Sequence, residues 1–474
     1  MRDNIFSQIG TYGVGTFLTK AVSFFLIPIY AANLNPTEFG QLAIARIAPA
    51  FLMPIFTLNL HGAIIRMYLD WENKKNEKSA IFTITIFSLI WSAIMMCCTI
   101  AFGHLIFPIL IKAAPFDPYI KIAIIAEGIT AISTISYKLM RIKEQAKLFS
   151  IVSFVETTMV LLSVIYFIVS RQMGVLGALY GILLANSIMM LIHFIYLVIN
   201  SSLSINLKAL RESINYSLPL VPGNIVESFY SVLDRFFMDK FIPLNQIGLY
   251  SFGQRISQIL LIVINVLQLG FAPFFIRLYS KSNNYVNTMG YYYKIFAYVI
   301  CITAVSICIF ASELVAILGT SNYAPAHSYI YLIVLSLTVH SFGFFGSNQI
   351  ALAKKTIYES YISFIKLFLF ATLGYFGILN FGIYGVLITY IVINSLTTTF
   401  LIYIGQKKNR IFFPFYTLIT VISLIVIFCL FFAVSNEFFY ANFIIFKSLI
   451  FLVICYFIYK KLLNSLKILK EIDR

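Results

Sequence analysis

MGVLGALYGILLANS (residues 173–187) and FGIYGVLITYIVINS (residues 381–395) can be laid one over the other. Gly174, Gly177, Asn186 and Ser187 then meet Gly382, Gly385, Asn394 and Ser395 at a constant offset of 208. Gly40 meets Gly248 at the same offset, while Pro36 and Pro243, and Arg46 and Arg255, fall one residue out of step. SIVSFVE (150–156) meets SYISFIK (360–366) at an offset of 210, which sets Glu156 opposite Lys366. IIRMYL around Arg66 resembles FIRLYS around Arg277. A single match would be weak among segments this apolar. Matches in order and at nearly one offset indicate an internal duplication.

Composition says where the duplicated unit lives. The 474 residues are 60% hydrophobic, 17% aromatic and only 11% charged, with a mean hydropathy of +0.91. Soluble domains carry about 25% charged residues, so the chain reads as an integral membrane protein. A helix needs about 20 apolar residues to cross the ~30 Å hydrocarbon core. Fourteen runs meet that need: 5–32, 38–68, 80–111, 118–137, 148–169, 174–199, 213–239, 247–276, 290–318, 325–351, 359–378, 382–404, 412–433 and 442–462. The first is too long for a signal-peptide core and reads as a retained helix. The offset of 208 spans six such runs, so the expected architecture is all-α. It comprises two six-helix halves, residues 1–206 and 207–406, in a parallel repeat, with two additional helices and a basic tail in 407–474. Repeats of this kind are the usual plan of secondary transporters, which place the substrate site at the repeat interface.

The basic residues orient the chain. With a cytoplasmic N terminus, the inward loops and tails hold 23 of the 34 lysines and arginines, and the outward loops hold four: Lys112, Lys121, Arg171 and Lys240. This is the positive-inside signature, and it places both termini in the cytoplasm. Seven basic residues remain inside spans: Lys20, Arg46, Arg66, Arg235, Arg255, Lys366 and Lys447. Arg66 and Lys447 lie near helix ends, where snorkelling to the headgroups explains them. Arg46, Arg255 and Lys20 are deeper, and deep cations face an aqueous cavity or an anionic partner. Polar residues recur at helical spacing beside them. Span one carries Tyr12, Thr16, Lys20 and Ser23, and span seven carries Asn224, Glu227, Ser231 and Asp234 with Arg235 adjacent. Such stripes need a wet or protein-covered face, although helix-to-helix hydrogen bonding suffices for the serines and threonines.

The stretches FSQIGTYGVGTFLTKAVSFFLIPIYAANLNPTEFGQLA (6–43) and SLPLVPGNIVESFYSVLDRFFMDKFIPLNQIGLYSFGQRI (217–256) resemble bacterial polysaccharide repeat-unit exporters. These are the O-antigen flippases of the Wzx type, in the MATE/MOP superfamily of multidrug exporters and the lipid II flippase. The resemblance implies a central cavity lined by spans one, two, seven and eight. It implies as cargo an undecaprenyl-pyrophosphate-linked oligosaccharide, an O-antigen or capsule repeat unit, moved from the cytoplasmic to the periplasmic leaflet of the inner membrane by alternating access. Further partners would be the polymerase and chain-length machinery of the same pathway. Arginine and lysine suit a pyrophosphate, so Lys20, Arg46, Arg255 and Arg235 are the expected substrate cations, with Arg235 open to neutralisation by Asp234. Asp234, Glu227, Glu127 and Glu156 are candidates for cation coupling. Tyr12, Tyr230 and Tyr250 are candidates for stacking on sugar rings.

Other classes fit less well. There is no G-x-x-x-x-G-K-[ST] phosphate loop, no metal-ligand spacing among the five histidines, and no cofactor is called for. GTYGVG (10–15) lies within the first span without a preceding strand, so helix packing explains it. The six cysteines all fall in apolar runs, as packing residues do. A multidrug or organic-cation exporter of the MATE type is the alternative within the fold, and the cationic interior argues against it. A membrane polysaccharide polymerase would expect a large outward loop, and none exceeds about a dozen residues.

Overall fold

The computed structural model describes Gly13 and residues 15–73, 75–281, 285–353, 355, 357–434 and 444–472, and among these every regular element is a helix. Among the described residues, eleven helical stretches are long and apolar enough to cross a membrane, from Gly15–Asn33 to Lys447–Ser465. Their outward faces carry bare apolar side chains such as Ile109, Leu191 and Phe368, the surface that hydrocarbon accepts and water does not. The chain is a multi-pass membrane protein.

The expected count was fourteen, and three features separate the two numbers. Span seven is two short helices, Val221–Tyr230 and Leu233–Phe241. Spans eleven and twelve run together as Ile357–Lys408, turned at Gly382, where φ is 57° and ψ is −135°. Span thirteen is represented by the shorter apolar stretch Phe415–Phe428. The count of fourteen therefore stays an expectation.

By contacts the chain forms two compact units, Met1–Gly248 and Leu249–Arg474. The first includes span seven, which the sequence offset assigns to the second half. Repeat offset and packing thus draw different boundaries.

Inside each unit the duplicated residues do duplicated work. Gly174 has a φ of 55° and its counterpart Gly382 a φ of 57°, left-handed values that a Cβ disfavours. In the first unit Asn186 donates from Nδ2 to the Ala126 carbonyl at 2.7 Å, tying span six to span four. In the second, Asn394 donates from Nδ2 to Ser336 Oγ at 2.9 Å, tying span twelve to span ten. A buried amide satisfied across helices fixes their register and would be costly to leave unpaired. Close helix approach follows the same plan. A Cβ on Gly177 would lie 2.9 Å from the Phe167 carbonyl oxygen, and one on its counterpart Gly385 would lie 1.9 Å from the Gly377 carbonyl oxygen.

Two further contacts are useful below. In the first unit, a Cβ on Gly40 would lie 2.2 Å from the Leu244 carbonyl oxygen, and one on Gly248 would lie 1.7 Å from that of Pro36. Leu244 is Pro36 plus 208, so the contact is reciprocal at the repeat offset. In the second unit, Lys447 Nζ is 2.7 Å from Glu313 Oε1 and 3.0 Å from Ser312 Oγ. Lys447 is 5% exposed. Its place near a helix end predicts snorkelling, but it stays buried because a carboxylate within the protein receives it.

Candidate functional site

Three interrupted helices in the first unit meet around Arg46. Span two begins with Pro36 at its first turn and a capping box between Asn35 and Glu38, a strong start signal. Its first helix, Pro36–Ala45, ends at Arg46, whose φ of −87° and ψ of 2° leave the helical region before Ile47–Thr57 resumes. Pro49 explains the break. It has no N–H for the Ala45 carbonyl, and its ring crowds that oxygen. A second interruption follows at Leu58 and Asn59, both with positive φ. Trp91 Nε1 donates to the Ile55 carbonyl there at 2.8 Å. Freed carbonyls at membrane depth need such a donor.

Span four breaks after Lys121–Gly128 and resumes at Ala131. Thr130 takes the Glu127 carbonyl twice, through its backbone N–H at 3.0 Å and its hydroxyl at 2.7 Å. That tight turn diverts the carbonyl from the helical ladder. Span seven breaks at Ser231 and Val232, between Val221–Tyr230 and Leu233–Phe241, where Ser231 Oγ donates to the Ser228 carbonyl at 2.7 Å. Span two packs on span seven segment by segment. Pro36–Ala45 lies on Leu233–Phe241 and Ile47–Thr57 on Val221–Tyr230, which sets their breaks side by side. Phe51 and Phe229 meet edge to face across that seam, with ring centroids 6.2 Å apart.

Arg46 and Glu127 occupy two of these breaks and bond each other, Nη2 to Oε1 at 2.5 Å. Their side chains are 40% and 24% exposed. Arg46 is thus ion-paired, with Glu127 as its counterion. The pairing answers why an apolar helix tolerates the guanidinium, since a nearby carboxylate offsets the cost of desolvating it. One edge of the fork is engaged. A guanidinium has five donors, and the Arg46 side chain as a whole is 40% exposed. Behind Glu127 the backbone is held by the Asn186 bond to Ala126.

The other expected residues are spread more widely. Lys20 has an exposed side chain and no ion pair among the described residues. Its helix docks on span five, with Thr19 Oγ 2.9 Å from Ser153 Oγ, so part of the polar stripe of span one is packing. Arg235 Nη1 lies 3.7 Å from Asp234 Oδ1, the neutralisation anticipated for this neighbouring pair. Asp234 is fully buried. Glu227 is exposed and Tyr230 partly buried. Tyr250 is 1% exposed, which corrects the sugar-stacking expectation because both ring faces are covered by protein. Arg255 is partly buried in the second unit. Tyr12 lies outside the described residues.

Glu156 belongs to a separate network. It accepts from Tyr137 Oη and lies 3.7 Å from His193 Nε2, and His193 Nδ1 is 2.9 Å from Ser136 Oγ. Sequence reading set His193 aside as lacking metal-ligand spacing. A fully buried histidine one helix away from a membrane acid was the signal. Asn186 was read as a repeat marker, and its role behind Glu127 needed the fold.

With the geometry in place, comparison with known proteins becomes informative. The family model described as "Polysaccharide biosynthesis protein" matches residues 31–328. No curated protein matches the sequence. Among solved structures, the fold is similar to the lipid II flippase MurJ in an inward closed conformation, at a TM-score of 0.74 and 14% identity, covering 96% of this chain and 99% of that one. It is also similar to an inward-facing multidrug resistance MATE family transporter of the MOP superfamily, at 0.66 and 15%, covering 86% and 95%. The D35N mutant of the Vibrio cholerae MATE transporter VcmN follows at 0.59 and 16%, covering 85% and 96%. The duplicated helices, the broken spans and the family match agree: this chain belongs to the polysaccharide biosynthesis protein family and has the MATE/MOP fold.

Proposed function

We propose that the protein is a flippase, without enzymatic chemistry of its own. It carries an undecaprenyl-pyrophosphate-linked oligosaccharide, an O-antigen or capsule repeat unit, from the cytoplasmic to the periplasmic leaflet of the inner membrane by alternating access. The observation that carries the reading is Arg46, an ion-paired arginine whose side chain is 40% exposed, held where interrupted helices pack together. Helix breaks at membrane depth are where transporters expose backbone and charge to cargo, and a guanidinium fork suits phosphate oxygens. Membership of a polysaccharide biosynthesis family fits a sugar-bearing cargo. Lys20 supplies a second cation from span one. Arg255, which the repeat sets one residue out of step with Arg46, is the corresponding cation of the second half, and Arg235 contributes less because Asp234 offsets it.

The polyprenyl tail stays in lipid while the charged head crosses. Moving negative charge out of a cell with a negative interior gains about 2.3 kcal/mol per charge per 100 mV. The protein therefore needs chiefly to lower the barrier for the hydrated head. Products would pass to polymerase and chain-length proteins on the outer face.

A deletion strain tests this reading. Lipid-linked repeat units should strand on the cytoplasmic leaflet and be cleared by the wild-type gene. They should not be cleared by Arg46→Ala or Arg255→Ala at equal membrane abundance. Rescue by both variants removes the clamp. Drug sensitivity without stranded glycolipid points instead to a multidrug exporter.

A further inference from the structure

The acid opposite Arg46 is as informative as the arginine. Glu127 is the anchored member of the pair. It sits in the last turn of Lys121–Gly128. Its own carbonyl is taken by Thr130, at 2.7 Å through the hydroxyl, and the preceding carbonyl by Asn186, also at 2.7 Å. Arg46 is the adjustable member, a long side chain leaving the backbone where span two is already out of helical geometry. One charge-assisted contact joins them, at 2.5 Å, and the Arg46 side chain stays 40% exposed.

We infer that Glu127 is an internal stand-in for the phosphate of the cargo. It holds Arg46 when the carrier is empty and yields it when a pyrophosphate arrives. The inference rests on the flippase reading and adds a role to the same site. The physical need is plain. An unpaired guanidinium in a membrane-embedded site is costly, and an empty carrier must still return to its starting state. A resident carboxylate keeps Arg46 compensated on that return. On loading, phosphate oxygens replace a carboxylate oxygen, so the guanidinium exchanges one anion for another and is never left bare. The cost is competition, since every cargo molecule must displace Glu127. A purely structural ion pair has the opposite signature, because removing its acid loosens the site and weakens binding.

Glu127→Gln keeps the shape and removes the competing charge, and the test uses the full-length protein purified in detergent. Calorimetric titration with inorganic pyrophosphate, and separately with a polyprenyl pyrophosphate in micelles, should show binding tightened roughly ten- to a hundredfold. That is the factor expected when one charge-assisted hydrogen bond no longer competes. Adding Arg46→Ala should abolish the gain. In cells, Glu127→Gln should move lipid-linked units more slowly, because release now lacks its competitor. Glu127→Asp, which retracts the carboxylate by one methylene, should give a smaller gain and serves if the glutamine variant does not fold. A gain with the lipid form alone supports the inference and assigns the site to a membrane headgroup. A gain with both supports it for pyrophosphate as such. Unchanged or weaker binding in a folded variant overturns it. The two readings fail separately. Tighter pyrophosphate binding without stranded glycolipid in the deletion strain keeps the stand-in and discards the cargo, and stranding without tighter binding does the reverse.

Discussion

Two of the ion pairs that bridge helices among the described residues, one in each unit, are built differently. Lys447 and Glu313 in the second unit are closed, with side chains 6% and 23% exposed. Ser312 also accepts from the ammonium and donates to the other carboxylate oxygen at 2.9 Å. Arg46 and Glu127 in the first unit are open, joined by one contact between helices that are both broken at that point. A closed pair with its remaining donors occupied fastens one element to another. An open pair leaves its side chains partly exposed. Burial and saturation, rather than distance, separate the two kinds.

The largest effect expected from breaking this contrast is on stability, at the closed pair. Glu313→Ala leaves a buried ammonium uncompensated and should cost about 3–5 kcal/mol. That would be read as a large fall in the thermal midpoint in detergent, with transport lost only in proportion to folded protein. Next come the matched asparagines. Asn186→Ala and Asn394→Ala should each cost about 1–3 kcal/mol by orphaning a buried polar partner, and by similar amounts because the bonds are duplicated. A silent variant at either would show that the repeat preserves sequence there without preserving the bond. Replacing both members of a pair sharpens the contrast further. Lys447→Met with Glu313→Leu should change stability little or raise it. Arg46→Met with Glu127→Leu should keep the fold and lose clearance of stranded glycolipid. The smallest thermal change belongs to Glu127→Gln, because the amide oxygen still accepts a hydrogen bond from Arg46. A midpoint drop there as large as that of Glu313→Ala would make the open pair structural after all.

Much of the fold was legible in the sequence, since apolar run length, loop charge and a constant offset are local or periodic signals. The break in span two could be read from Pro49 and the turn at Gly382 from its repeat match with Gly174. The break in span four could not, because nothing in AIIAEGITAI (123–132) rules out a continuous helix. It is made by the Thr130 turn, whose bonds appear only once the chain is folded. The site was half legible. Depth marked Arg46 and Glu127 as unusual, but they are 81 residues apart, and pairing across that separation depends on which helix faces which. The same limit applies to Tyr250, whose burial depends on which helices pack against it. His193 was passed over because spacing rules for metals say nothing about a histidine whose partners are a serine and a glutamate on other helices.

The reciprocal approach of Gly40 and Gly248 has a mechanical meaning. Main chain lies against main chain at both ends of that contact, with no side chains meshed between. Surfaces joined without interlocking can part and rejoin along the same path, exposing little oily area and tearing no rotamers from their niches. A single methyl at either glycine would act as a doorstop, holding these helix ends open with the rest of the chain unaltered.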